Sequence, residues 1–116
     1  MKKLTILTLI LFAACVPVKL AIPTQADADR GAKQFNGFTL AELNQGKTLY
    51  EQNCAECHRL KYPRSKTEAE WTKIVPNMVR RANRDAGREK IKPHDQELIL
   101  HYVITMSTAK PVDTKK

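Results

Sequence analysis

Three features of the sequence predict an all-α domain of three to four packed helices. Thr39-Leu40-Ala41-Glu42 and Thr67-Glu68-Ala69-Glu70 each set a hydroxyl three residues ahead of a carboxylate. That is the spacing of a capping box, in which each side chain accepts the other residue's backbone N–H at a helix start. Apolar residues after Thr67 and after Pro93 recur at intervals of three and four, the period of one helical face. No stretch alternates apolar and polar residues beside hairpin-forming turns, so strands are not expected.

In chain order, Met1-Lys2-Lys3 is a short basic start, and Leu4 to Ala14 is uncharged and rich in Leu and Ile. Eleven helical residues rise about 16 Å, too short to span a bilayer, and the pattern fits a secretory leader over residues 1–14. Phe12-Ala13-Ala14-Cys15 resembles the bacterial lipobox, which implies a diacylglyceryl group on Cys15 as the first residue of the mature chain. The alternative is ordinary cleavage at a later site such as Ala26-Asp27-Ala28, with Cys15 incidental. Residues 15–38 hold Pro17, Pro23, Gly31 and Gly37 without a sustained apolar period, and read as a lipid-anchored flexible tether. As a loose coil it would span about 25 Å. Residues 39–110 form the predicted domain, and residues 111–116 a disordered basic tail.

Within that domain a first helix is expected from about Leu40 to Gln52, with Leu40, Leu43, Leu49 and Tyr50 on one face and Gly46 thinning it. A second begins after Thr67, where Trp71, Ile74, Val75 and Met78 stand at i, i+3, i+4 and i+7. Pro76 should end or kink it near Val75, because proline lacks an N–H and crowds the preceding turn. Gly87 is the expected stop for any helix continuing through Arg80 and Arg84. The last helix starts at Pro93, with Asp95 and Glu97 in its first turn and Leu98, Ile99, Tyr102, Val103 and Met106 as its stripe.

The chain has 116 residues, room for one small domain, and only three Phe, one Trp and three Tyr. A core with so few large side chains usually needs a disulfide, a metal or a cofactor. The formal charge is +8, falling to +6 once Lys2 and Lys3 are removed with the leader. An exported chain without an aromatic-interleaved basic motif is not expected to bind nucleic acid.

The chemistry gathers at Cys54-Ala55-Glu56-Cys57-His58. Two thiols three positions apart, followed at once by His, form the attachment signature of a c-type haem. The thiols of Cys54 and Cys57 add to the porphyrin vinyl groups, and His58 ligates the iron. A zinc site is the competing reading, but His94 and His101, its available partners, are seven residues apart. A redox dithiol and a plain structural disulfide are the others.

At these residues the sequence resembles the class I c-type cytochromes over about Leu40 to Met106, including the small cytochrome subunits of periplasmic oxidoreductases. Gly46 and Tyr50 stand where that family's first helix carries them, and Ile99 and Tyr102 where its last helix crosses the first. The resemblance implies a small cytochrome c-like fold around one covalent haem, with the cofactor completing the core. It implies that a Pro carbonyl downstream of the motif, with Pro63 as the candidate here, receives the ring N–H of His58; the alternative for Pro63 is a simple turn after Tyr62. It also implies a Met ligand at Met78; Met106, His94 and His101 are the other candidates for the sixth position. Met106 sits on the core stripe, and the two His lie off it.

The expected activity is one-electron transfer by a carrier anchored in the bacterial cell envelope, not an enzyme in its own right. The alternatives are a haem enzyme or gas sensor with an open sixth position, and a permanent cytochrome subunit of a larger oxidoreductase. Arg59, Lys61, Arg64, Lys66, Arg80, Arg81, Arg84 and Arg88 are mostly a solvated face, and those near the haem edge would steer an acidic redox partner. Val16 after the lipidated Cys favours the outer membrane.

Overall fold

The computed structural model describes residues 18–56 and 58–109. The leader, Cys15, Cys57 and the basic tail lie outside the described residues. Four helices follow in order: α1 (Gln25–Ala32), α2 (Leu40–Cys54), α3 (Glu68–Ala86) and α4 (Pro93–Ser107), with a 3₁₀ turn at Pro63–Ser65 between α2 and α3. Among the described residues there is no strand, so the all-α expectation holds. No described helix is long and apolar enough to cross a membrane.

The last helix is the hub. Leu98, Ile99 and every residue from Tyr102 to Met106 are buried, and α1, α2, α3 and the 3₁₀ turn all pack on α4. Its crossing with α2 depends on Gly46. A Cβ there would stand 2.8 Å from Cβ of Tyr102 and would also meet the Leu98 carbonyl. Next to the crossing, Tyr50 packs edge-on against Trp71 and tilted against Tyr102, with ring centroids 6.1 and 5.8 Å apart. Burial pushes both phenols far above the ordinary tyrosine range, so both stay protonated.

Both predicted capping boxes form, at Thr39 with Glu42 and at Thr67 with Glu70. In each, backbone and hydroxyl hydrogen bonds hold the glutamate carboxyl below its ordinary range. The first predicted helix runs two residues further than expected, to Cys54.

The helix does not end at Pro76: α3 continues for 19 residues with Pro76 inside it. Proline removes one i→i−4 hydrogen bond. Against that loss stand the Thr67 box, the burial of Trp71, Val75 and Val79, and a stop at Gly87. Gly87 takes the left-handed conformation (φ 64°), and its N–H and that of Arg88 close on the carbonyls of Arg84 and Asn83.

A second correction concerns the tether expected over residues 15–38, because residues 18–38 pack on the domain. Helix α1 starts from a capping box of Thr24 with Asp27. Leu20, Ala28 and Phe38 belong to the buried core. Arg30 ties α1 to the end of α4, its guanidinium donating to the Thr105 carbonyl at 2.9 Å and to Thr108 Oγ1 at 3.1 Å, while it pairs with Asp27 at 2.9 Å. Gly31 faces Thr105 so closely that a Cβ would stand 2.8 Å from Thr105 Oγ1. That hydroxyl is buried and has no hydrogen-bond partner among the described residues. Pro23, Gly31 and Gly37 therefore belong to a docked strap.

Candidate functional site

Between the end of α2, the wall of α3 and the middle of α4 lies a cleft of about 380 Å³, within the usual range of about 300–1,000 Å³ for ligand sites. Its construction follows from two adjacent rows of α3. Both rows line the cleft: Trp71, Val75 and Val79, four residues apart, are buried, whereas Ile74, Met78 and Ala82 are half-buried. The sequence pattern grouped Ile74 and Met78 with Trp71 and Val75 as one stripe. The actual core row takes Val79 instead. Ile91 and Ile99 add further apolar wall.

The functional groups enter from α2 and the chain after it. Asn53 and Cys54, on the last turn of α2, line the cleft, as do His58 and Lys61. Tyr50 fixes this connection by donating its hydroxyl proton to the Lys61 carbonyl at 2.7 Å. Cys57 lies outside the described residues. His58 is exposed, with Nδ1 2.8 Å from the Arg59 carbonyl. The Pro63 carbonyl, expected to serve His58, instead accepts the buried indole N–H of Trp71 at 2.8 Å. The 3₁₀ turn thereby joins α3, and the local acceptor for the imidazole is the neighbouring carbonyl.

Met78 lines the same cleft as Cys54 and His58. The other three candidates for the sixth ligand do not. Met106 is only 5% exposed in the core. His94 and His101 line a separate hollow of about 350 Å³ with Phe35, Phe38, Glu42 and Glu97. There the His101 ring stacks on Phe35 (centroids 3.8 Å apart, planes at 16°) and meets Phe38 edge-on. Burial holds the His101 pKa below its ordinary value, although Glu97 and Glu42 pull the other way.

A covalently attached haem would need apolar walls, thiol anchors and soft or imidazole donors for its iron. The described part of the cleft offers an apolar surface with one thiol, one imidazole and one thioether, so these residues fit a haem. Among the described residues, no group of three His, Cys, Asp or Glu is arranged to hold a bare metal ion. The rim is cationic: Lys61, Lys66, Arg81 and Arg84 border the cleft with Asp85 as the single acid. Lys66 pairs with Glu70 at 3.7 Å, and Arg84 with Asp85 at 3.3 Å.

Two supports of the site had no signal in the sequence. Asn83 accepts the Ile91 N–H at 2.8 Å and donates to the Ile91 carbonyl at 3.0 Å, holding Ile91 in the cleft wall. Lys90 reaches Glu56, within the Cys-x-x-Cys-His segment, at 2.5 Å. Both connect helix or motif side chains to the loop between α3 and α4, and no spacing rule encodes such a pairing. Compared with models of protein families, with curated proteins and with solved structures, the chain matches none.

Proposed function

We propose that the protein is a membrane-anchored one-electron carrier of the cell envelope, a small c-type cytochrome. Cys54 and Cys57 hold one haem through thioether bonds, and His58 and Met78 are the protein ligands of its iron. The observation that carries this reading is that Cys54 and His58 of the Cys-x-x-Cys-His motif line an apolar cleft whose α3 wall also bears Met78. When bound, the haem supplies a one-electron couple. The chain's own residues do the rest. Ile74, Val75, Val79, Ile91 and Ile99 exclude water, which limits the change in solvation on gaining or losing an electron. His58 and Met78 would both ligate the iron of a bound haem, which suits a carrier better than a gas sensor, and a thioether ligand would raise the potential relative to a second imidazole. The cationic rim favours encounter with an acidic redox partner. Cys15 carries the lipid anchor.

The test is expression in a bacterial host competent for cytochrome c maturation, followed by haem staining of a denaturing gel and intact-mass measurement. The wild-type chain should carry one haem mass that survives denaturation, and Cys54→Ser with Cys57→Ser should carry none. A wild-type chain without added haem mass overturns the reading.

A further inference from the structure

The docked strap changes what an anchor at Cys15 would do. A free tether of 23 residues would let the domain roam by about 25 Å. Instead Val18 already packs against the core, and Leu20 and Pro23 are buried. Only three residue steps separate Cys15 from Val18, a covalent reach of at most about 10 Å even when fully extended. The chain therefore leaves the lipid and joins the domain surface almost at once. At that point Ile22 is 78% exposed, the most exposed large apolar side chain among the described residues, and Lys19 and Ala21 beside it are exposed as well. The strap is held by Arg30 at the end of α4, by Gly31 against Thr105, and by Gln34, whose amide donates to the Glu68 carboxylate at 2.6 Å.

We propose that the edge formed by Lys19–Ile22 rests on the phospholipid surface, with Ile22 in the acyl-chain boundary and Lys19 at the headgroups. The inference builds on lipidation of Cys15. An isolated isoleucine gains from leaving water, and a lysine with a flexible stem suits an interface. The strap then fixes which side of the domain faces the bilayer. Glu68, tied to the strap through Gln34, begins α3, and Ala86 ends it about 27 Å further along the helix.

The full-length, haem-loaded lipoprotein would be reconstituted into vesicles of phosphatidylethanolamine and phosphatidylglycerol doped with a phospholipid carrying a diazirine in its acyl chain. After illumination, lipid adducts would be mapped by peptide mass spectrometry. Adducts in the peptide containing Lys19–Ile22 should exceed those in the peptide ending at Ala86 by at least about fivefold. Even scatter over the exposed peptides, or no adduct within residues 19–22, from protein that stays on the vesicles overturns the strap contact and leaves the anchor standing. Protein that is not acylated and washes off overturns the anchor and the contact together.

Discussion

Met78 and Met106 carry the same thioether in different surroundings, one half-buried on the cleft wall and the other 5% exposed in the core. If the proposed haem ligation is right, Met78→Ala should abolish the thioether-to-iron charge-transfer band, lower the reduction potential and admit carbon monoxide, with little loss of stability. Met106→Ala should keep the spectrum and cost about 2–5 kcal/mol in denaturant unfolding. A wild-type spectrum in Met78→Ala would remove that residue from the iron. His101 gives a pH prediction. Its folded pKa lies below the ordinary 6.5 because burial disfavours the charged ring. Between the folded value and 6.5 the unfolded chain binds a proton that the folded chain does not, so stability is full above 6.5 and declines as pH falls through that window. His101→Gln should flatten this part of the stability profile. At this scale the sequence pointed to Cys54, His58 and Met78 as candidates, because Cys-x-x-Cys-His is defined by spacing, and all three line one cleft. It did not reveal Asn83, whose role depends on a backbone eight residues away at Ile91.

The elements became legible wherever one local interaction decided them. Thr39 and Thr67 mark two helix starts because the glutamate three residues on completes a reciprocal pair. Thr24 does the same with Asp27, but aspartate at that position is a weaker signal, and Pro23 and Gly31 around it suggested irregular chain. Pro76 did not end its helix for the opposite reason: a local penalty was overridden by a buried face and two good caps that lie further away in the chain. Gly46 was legible as a close-approach residue, and its surroundings make it sensitive. Gly46→Ala would set a methyl against Cβ of Tyr102 and the Leu98 carbonyl, and a backbone carbonyl inside a helix cannot move aside. The expected cost is about 3 kcal/mol, at the upper end for overpacking, seen as a lower urea midpoint with an unchanged slope. Gly87→Ala, with nothing near its Cβ position, tests the left-handed backbone alone and should cost about 1 kcal/mol.

For the molecule as a whole, the strap decides how large the folding unit is. A chain beginning at Thr39 keeps the cleft and its motif but loses Leu20, Ala28 and Phe38 from the core and Arg30 from the end of α4. Each large apolar side chain removed forfeits about 1.5–3 kcal/mol, so thermal unfolding of the haem-loaded truncated protein should shift down by several degrees or more. An unchanged midpoint would return residues 18–38 to the role of a tether. The unsatisfied Thr105 hydroxyl opposite Gly31 has a consequence in time as well as in energy. The seam between an eight-residue helix and the end of α4 contains a polar group that water would satisfy and no described residue does. Brief separations at this seam are therefore rewarded by hydration, and amide protons of α1 should exchange with deuterium well before those at the crossing of α2 and α4. The strap is then the first part of the molecule to breathe, and the crossing of α2 and α4 the last.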